Sequence, residues 1–269
     1  MLDFNRLTRI KEERPLLHCV SNIVSANDCA NLALAVGASP MMAQAAEEMA
    51  EITAISSATV LNTGTPDRER FEVCRVCGRA AQAVGQPVVL DPVGVGASSW
   101  RLKEVTKLLE AFRPSVIRVN LSEAEALCRQ EGREQGVDST ASAAPEKRVK
   151  LAEELAERYA ATVLLTGPED IICDGVRILS TSGGSGRMAL VTGTGCMLSV
   201  LCGAFAAVEP DTAAAAALAS AFWKLCAERA SAAAQDRGIG SFRAELINAA
   251  ELTDAKALEA RGNIRIISG

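Results

Sequence analysis

The sequence predicts an α/β fold with a mostly parallel central sheet and helices on both faces. Short apolar runs with strand character alternate with helical segments through most of the chain, which is the order expected of strand–helix–strand units. Hydrophobic residues make up 49% of the 269 residues, but aromatic residues make up only 3%. The core must therefore be built from Ala, Val, Leu and Ile, which suits close packing of helices on a sheet. We expect residues 1–269 to form a single domain.

The individual elements follow from periodicity and from glycine and capping residues. A hairpin with an Asp174-Gly175 turn is predicted to join 170–174 and 176–179. A capping box is predicted from Ser122 and Glu125. Residues 131–146 read as a polar surface excursion, and no element is assigned to the charged tail, 251–269. The predicted strands are 16–20, 38–43, 59–64, 87–91, 115–120 and 161–167. The predicted helices are 27–36, 46–57, 67–84, 102–112, 122–130, 147–159, 197–208, 211–235 and 240–250.

Charge and cysteine content restrict the function classes. The net charge is −5 and no Lys/Arg-rich run is present, which argues against partners such as nucleic acid or an anionic membrane. No apolar run reaches the roughly 18 residues needed to span a bilayer, and residues 1–15 do not resemble a signal peptide. Nine scattered cysteines read as reduced thiols in a cytoplasmic protein, and the pair Cys74 and Cys77 as neighbours on a helix.

The stretch 191–199, Val-Thr-Gly-Thr-Gly-Cys-Met-Leu-Ser, is the most informative part of the chain. A glycine-rich turn leads directly into an apolar helix, so free N–H groups and the helix dipole favour an anion there. Gly193, Thr194, Gly195 and Cys196 would form this anion cradle. Cys196, at the start of the helix, is expected to have a lowered pKa and to be a candidate base. The alternative is a tight turn followed by an inert, packed cysteine.

Polar residues at the ends of predicted strands mark the ligand edge of the sheet, because ligands of such folds bind outside the carboxyl ends of the strands. These residues are Asn22, Asn62, Asp91, Asn120 and Thr166.

Two acidic residues at this edge are candidates for binding Mg²⁺. Asp91 ends an apolar strand, and Glu123 lies on the first turn of the helix that follows Asn120. Hard oxygen ligands suit Mg²⁺, often through water and with phosphates completing its coordination. The alternatives are a turn or capping aspartate and a surface glutamate that complements the helix dipole.

Other residues carry weaker signals. Arg118, inside a predicted strand, either reaches solvent at a sheet edge or binds an anion such as an ATP phosphate. Met42, with Met41, either lines an apolar pocket or packs in the core. His18, the only histidine, is expected to be a core residue. Neither a G-x-S-x-G elbow nor a G-x-x-x-x-G-K-[ST] loop is present.

Five segments together resemble the hydroxyethylthiazole kinase family, of the ribokinase-like superfamily. The resemblance runs from about residue 15 to 208 and continues more weakly to the C-terminus. The segments are His18-Cys-Val-Ser-Asn22, Gly37-Ala-Ser-Pro-Met-Met-Ala43, Val89-Leu-Asp-Pro-Val-Gly-Val-Gly-Ala97, Val116-Ile-Arg-Val-Asn-Leu-Ser-Glu123 and Thr192-Gly-Thr-Gly-Cys196.

This resemblance implies a ribokinase-like fold and the transfer of the ATP γ-phosphate to the primary alcohol of 4-methyl-5-(2-hydroxyethyl)thiazole. It implies a catalytic Cys196, where related sugar and pyrimidine kinases usually carry Asp. It also implies a homotrimer with the thiazole site between protomers. The remaining implied roles are thiazole contacts at Met42, Gly193 and Asn22, ATP contacts at Arg118, Thr166 and Asn120, and acids around Mg²⁺ at Asp91 and Glu123.

The chain departs from the family pattern at two positions. Val119 stands where the family usually has Gly, and its isopropyl group is expected to narrow the approach to the phosphates. Ser21 stands where Thr is common, which keeps the hydroxyl. Two alternative functions remain: a kinase of another small alcohol such as hydroxymethylpyrimidine, and a non-catalytic nucleotide-binding regulatory protein.

Overall fold

A nine-stranded sheet forms the centre of the computed structural model, which describes residues 2–129 and 144–268. The strand order is β2-β1-β3-β4-β5-β6-β7-β8-β9, with parallel pairing from β2 to β6 and antiparallel pairing from β6 to β9. The strands are β1 Leu16–Val20, β2 Ser39–Met41, β3 Ala58–Asn62, β4 Val88–Asp91, β5 Val116–Val119, β6 Thr162–Leu165, β7 Asp170–Cys173, β8 Ile178–Thr181 and β9 Ile264–Ser268. The helices are α1 Arg6–Glu13, α2 Ala26–Val36, α3 Met49–Ile55, α4 Arg68–Ala83, α5 Ser99–Ala111, α6 Leu121–Arg129, α7 Pro145–Tyr159, α8 Thr194–Ala206, α9 Thr212–Ala233, α10 Ile239–Leu252 and α11 Ala255–Arg261.

Helices cover both faces of this sheet, as predicted. Successive residues of the central strands belong to two separate cores: Val60 belongs to the core that includes residues of α2, α8, α9 and α10, and Leu61 to the core that includes residues of α4, α5, α6 and α7. Small side chains allow close packing on the first face, where the alanine block 213–219 of α9 is buried. On the same face, a Cβ at Gly203 of α8 would lie 2.6 Å from Val60 Cγ2. The sequence prediction of an aliphatic, two-faced α/β sheet is confirmed.

Helix α8 begins at Thr194, three residues before its predicted start. Gly193 is its N-cap residue and has φ 84°, ψ 0°, a left-handed conformation that glycine adopts without the steric cost of a Cβ. Of the two glycines predicted to form the turn, only Gly193 does so, because Gly195 already belongs to α8. Cys196 lies within the first helical turn.

The capping box of α6 is displaced from the predicted position, so the assignment to Ser122 and Glu125 is wrong. Asn120 Oδ1 accepts from the Glu123 N–H at 2.9 Å, and Glu123 Oε2 accepts from the Asn120 N–H at 2.9 Å. This is the reciprocal pattern of a capping box. Strand β5 ends at Val119, and Asn120 is already the capping residue.

The C-terminal tail, to which the sequence analysis assigns no element, forms α11 and β9. Strand β9 pairs antiparallel with β8. The β7–β8 hairpin is present, but its loop is wider than the predicted two residues because Cys173 pairs with Ile178. Residues 130–143, most of the predicted surface excursion, lie outside the described residues, and α7 begins at Pro145.

All nine cysteines are free thiols, and Cys74 and Cys77 are buried neighbours on α4, as predicted. Across residues 2–129 and 144–268, none of the helices has the length and apolar character needed to traverse a bilayer.

Candidate active site

The polar residues predicted to mark the ligand edge do lie at the carboxyl ends of parallel strands. Asn62 and Asp91 are the last residues of the adjacent strands β3 and β4 and are paired in register. Asn22, Asn120 and Thr166 follow β1, β5 and β6. Because all five strands are parallel, their polar ends meet at one edge.

The N-terminus of α8 lies over this edge and presents free backbone donors. No side chain caps the helix, and its first intrahelical bond runs from the Met197 N–H to the Gly193 carbonyl at 2.9 Å. The N–H groups of residues 194–196 therefore precede the intrahelical ladder. Such groups, together with the helix dipole, form a site for an anion.

Arg118 lies directly beneath this helix terminus. Strand β5 lies between β4 and β6, so Arg118 does not reach solvent at a sheet edge. Its guanidinium donates to Thr166 Oγ1 at 3.0 Å and to Asp91 Oδ1 at 3.4 Å. A Cβ at Gly195 would lie 2.6 Å from Arg118 Nη2. The absence of a side chain at Gly195 thus lets a cation lie against the backbone donors of α8.

A chain of side-chain hydrogen bonds connects Cys196 to Asp91. Asn22 Nδ2 donates to Cys196 Sγ at 3.3 Å and to Asn62 Oδ1 at 2.9 Å. Asn62 Nδ2 donates in turn to Asp91 Oδ2 at 2.9 Å, which also accepts from Ser199 Oγ at 2.8 Å. The thiol and the carboxylate therefore belong to one hydrogen-bonded network.

The pKa of Cys196 is raised, not lowered as predicted from its position at a helix N-terminus. Burial and the charge of Asp91 raise the pKa, against hydrogen bonds from Ser25 and Asn62 and the charge of Arg118. Loss of hydration and a nearby carboxylate both disfavour a thiolate. In the ligand-free protein, Cys196 is therefore a protonated thiol at neutral pH.

Glu123 is buried, so it is not the surface glutamate of the alternative interpretation. Asp91 is buried too, and its carboxylate accepts from the side chains of Asn62, Ser199 and Arg118, unlike a turn or capping aspartate, which accepts from backbone N–H groups. Burial raises the pKa of both carboxyl groups, and the charge of Arg118 opposes this. The two Glu123 oxygens accept from the N–H groups of Asn120 and Gly94, each at 2.9 Å. The described residues contain no group of three or more His, Cys, Asp or Glu side chains able to hold a metal ion. Two hard carboxylates already bonded to protein donors fit Mg²⁺ held through water and the ligand's own oxygens.

A cavity of 440 Å³ opens beside Arg118 and the start of α8. Its wall includes Asn120, Thr166, Thr194 and Gly195, so most of the predicted ATP and anion residues are brought together here. Lys224 also lines it and is buried. Its Nζ lies 3.3 Å from the Gly167 and Pro168 carbonyls and 3.3 Å from Asp170 Oδ1. These contacts hold the loop after β6 in place.

Met42 lies apart, in a second cavity of 190 Å³ that Ser21 and Arg70 also line. The Arg70 guanidinium donates to the Ser21 carbonyl at 2.7 Å. Ser21 precedes Asn22, and Gly195 of the first cavity precedes Cys196. The contact between Asn22 and Cys196 therefore joins the direct neighbours of one lining residue from each cavity, whereas Asn22 and Cys196 themselves line neither cavity.

Three of these contributors were not predicted from the sequence. Ser199 lies one turn into an apolar helix, where a serine carries no signal. Lys224 is the first charged residue of the alanine-rich helix α9 and follows a long, mostly apolar run, which was a usable signal. Asp170 was assigned only to a strand. His18 is buried, as predicted, with Nδ1 2.9 Å from Thr53 Oγ1, and burial lowers its pKa.

Comparison with known proteins places this geometry among small-molecule kinases. The model of the Hydroxyethylthiazole kinase family matches residues 7–255. The hydroxyethylthiazole kinase of Listeria monocytogenes serotype 4a (strain HCC23) is 40% identical over 262 residues, which cover 96% of this chain and 97% of the relative. The solved hydroxyethylthiazole kinase protein from Pyrococcus horikoshii OT3 aligns with a TM-score of 0.88 at 33% identity, over 98% of both chains. A ribokinase-like superfamily protein from Enterococcus faecalis V583 shares the fold, with a TM-score of 0.62 at 13% identity over 93% of this chain and 94% of that one.

Proposed function

Because the chain belongs to the hydroxyethylthiazole kinase family, we propose that it transfers the γ-phosphoryl group of ATP to the primary alcohol of 4-methyl-5-(2-hydroxyethyl)thiazole. The observation that carries this proposal is the position of Cys196. The thiol lies on the first turn of α8, beside free backbone donors and next to Gly195, which lines the 440 Å³ cavity with Arg118. It also contacts Asn22, whose neighbour Ser21 lines the cavity that contains Met42. Phosphoryl transfer needs a charge cradle and an acceptor alcohol at the same point.

ATP binds in the 440 Å³ cavity in this proposal. The N–H groups of residues 194–196 donate to the γ-phosphoryl oxygens, and Arg118 offsets charge on the triphosphate. Thr166, which already bonds Arg118, and Asn120 complete the ATP contacts. Electrostatic stabilisation by preorganised donors is usually the largest contribution to such catalysis.

The thiazole alcohol binds from the other side, with contacts to Met42, Gly193 and Asn22. Cys196 orients the alcohol and accepts its proton as the oxygen attacks. Since the pKa of the thiol is raised in the ligand-free protein, proton acceptance requires deprotonation of Cys196 in the ternary complex. General-base help of this kind typically contributes about 10²–10⁴ in rate.

Asp91 and Glu123 are the residues that would hold Mg²⁺. When bound, it supplies neutralisation of phosphate charge. Asp91 and Glu123 hold it through water, because their oxygens already accept hydrogen bonds from Ser199, Asn62, Gly94 and Asn120.

The active protein is a homotrimer in this proposal, with the thiazole site between protomers. Ile23 and Val24 directly follow Asn22 and are 81% and 58% exposed. Apolar side chains at the mouth of a polar site are the kind of surface that a second copy covers. We further propose that residues 1–269 form one ribokinase-like domain and that the protein, with nine free thiols, acts in the cytoplasm.

The decisive experiment measures ADP release from ATP with hydroxyethylthiazole as acceptor, with and without Mg²⁺. We expect turnover that requires both the acceptor and the metal, and a phosphorylated thiazole product by mass spectrometry. ADP release with hydroxymethylpyrimidine but not with the thiazole would favour the kinase of another small alcohol. ATP binding with no turnover on either acceptor would favour the regulatory protein.

A further inference from the structure

Asn62 has no assigned part in the proposed reaction, yet it contacts both the Asp91 carboxylate and Asn22, the residue that contacts Cys196. The residue ends β3 and is 3% exposed. Its Nδ2 donates to Asp91 Oδ2, and its Oδ1 accepts from Asn22 Nδ2 and from the Gly64 N–H, each at 2.9 Å. The side chain therefore bridges the buried carboxylate and the asparagine that touches Cys196.

Backbone donors fix which way both amides face. The Gly64 N–H can only donate, so the atom of Asn62 that faces it must be the oxygen. The N–H groups of Val24 and Ser25 likewise face Asn22 Oδ1, at 3.0 and 3.1 Å. The amide nitrogen of Asn22 is then left pointing at Asn62 Oδ1 and at Cys196 Sγ.

We propose that Asn62 is a positioning residue: it holds the amide plane of Asn22 so that one N–H points at Cys196 Sγ, and so ties the thiol to Asp91. The change expected in kcat rests on the proposed function, whereas the change expected in the reactivity of the Cys196 thiol does not. Asn62 acts on the thiol through Asn22 and through its own hydrogen bond to Cys196.

The contact between the Asn22 N–H and Cys196 Sγ matters because the charges around the thiol act in opposite directions. Asp91 on β4 disfavours a thiolate, Arg118 on β5 favours it, and the neutral thiol of Cys29 faces it from α2. Hydrogen bonds from Ser25 and Asn62 also favour the thiolate, ahead of the charge of Arg118. The directed N–H of Asn22 adds to this local support for negative charge on Cys196 Sγ.

The test compares Asn62→Ala with Asn263→Ala in the full-length protein without substrates. Asn263 is a matched control, because it is also a buried asparagine but donates to the Ser182 carbonyl beyond β8, away from the thiol. The probe is iodoacetamide, which is uncharged, at one neutral pH. The rate at which it modifies Cys196 is measured by mass spectrometry. We expect Asn62→Ala to slow this modification about fivefold to tenfold, the equivalent of one hydrogen bond, and Asn263→Ala to leave it unchanged. In turnover, kcat of Asn62→Ala should fall by a similar factor, with the KM for ATP changed less than about twofold.

Equal modification rates for Asn62→Ala and wild type would overturn the inference. Asn62→Ser covers the case in which the alanine variant does not fold, since serine keeps a polar side chain at the end of β3 but has no amide to bond both Asp91 and Asn22. Slower modification of Cys196 in this variant supports the inference, and an unchanged rate overturns it. Failure of the thiazole to accept phosphate would defeat the proposed function but leave the thiol result standing. Normal turnover with an unchanged thiol would defeat this inference alone.

Discussion

At the scale of single residues, the proposed chemistry depends on the protonation state of Cys196. Burial and Asp91 raise the pKa of the thiol, so only a small fraction is thiolate at neutral pH. If the thiolate is the base, raising the pH increases that fraction, and the rate must rise with pH. A carboxylate at the same position would be ionised at neutral pH, because the usual pKa of aspartate is about 4.

We therefore expect Cys196→Ala to lower kcat by about 10²-fold or more with little change in KM, and Cys196→Asp to remain active. The kcat of the wild type should increase from neutral to alkaline pH, whereas that of Cys196→Asp should be nearly flat there. Measuring kcat against pH for the three proteins checks this. Matching profiles for wild type and Cys196→Asp, or full activity of Cys196→Ala, would show that Cys196 is not the base.

Residue positions were largely readable from the sequence, but side-chain environments were not. Strand ends correctly located Asn62, Asp91 and Asn120, because an apolar run that stops at a polar residue marks the sheet edge. The expected effect of Val119 was wrong: its isopropyl group is fully buried in the core that packs against α4–α7, on the face opposite α8, and does not narrow the phosphate approach. Which face a strand residue points to depends on the register, which a single sequence did not fix.

At the scale of elements, the start of α8 combines two requirements in Gly195. The backbone must present N–H groups, and the guanidinium of Arg118 must lie against it, with a would-be Cβ only 2.6 Å from Arg118 Nη2. We expect Gly195→Ala to displace Arg118 and to raise the KM for ATP about tenfold, as lost charge-assisted hydrogen bonds would. Steady-state kinetics at varied ATP measures this.

Gly240→Ala is the matched control for this change. Gly240 is also the second residue of a helix, α10, but a Cβ there meets no atom within 4 Å. Its ATP kinetics should equal those of the wild type. An unchanged KM for ATP in Gly195→Ala would mean that Arg118 does not bind the triphosphate from this position.

The N-terminus of α9 provides a prediction on stability. Asp211 caps this helix by accepting from the N–H groups of Ala213 and Ala214, each at 3.1 Å, and it also pairs with Arg177. The hydrogen bond from Arg177 lowers the pKa of Asp211, against partial burial. A lowered pKa in the folded state stabilises the protein above the unfolded value of about 4 and is lost as the pH falls through the folded value.

Replacing Asp211 by Asn keeps the cap but removes the charge, whereas Asp211→Ala removes both and should cost about 1 kcal/mol more from the cap. We expect the Tm difference between wild type and Asp211→Asn to be constant above pH 5 and to shrink below about pH 4. Thermal denaturation across pH checks this. A difference that does not depend on pH would show that the ion pair contributes nothing.

Elements were predicted well where local signals decide them and less well where tertiary contacts do. Asp67 was placed correctly at the start of α4, where its side chain accepts from the Arg70 N–H at 2.7 Å. Strand β9 was missed because most of its residues are exposed and it is a strand only through pairing with β8. The capping box moved to Asn120 because β5 ends at Val119, one residue before the predicted end of the strand.

At the scale of the whole molecule, the sheet order explains why one edge collects the chemistry. The parallel strands β1, β3, β4, β5 and β6 are neighbours, so their carboxyl ends form a continuous line under α8. The antiparallel strands β7, β8 and β9 extend the sheet beyond it. We propose that the thiazole binds at the end of this line near β1 and β2, where the side chains of Ile23 and Val24 are exposed.

This asymmetry leads to the prediction on assembly. Replacing Ile23 with Glu places a charge where we propose that a neighbouring protomer packs, and burying an unpaired charge is costly. We expect the trimer to dissociate and the KM for the thiazole to rise about tenfold or more, with ATP binding retained, because the nucleotide cavity lies within one chain. Light scattering after size exclusion and kinetics at varied thiazole measure both effects.

Val176→Glu is the matched control: Val176 is equally exposed, at 81%, but lies in the β7–β8 loop. If the mass and the KM for the thiazole of both variants equal those of the wild type, the face around Ile23 is not an interface and the thiazole site is complete within a single chain.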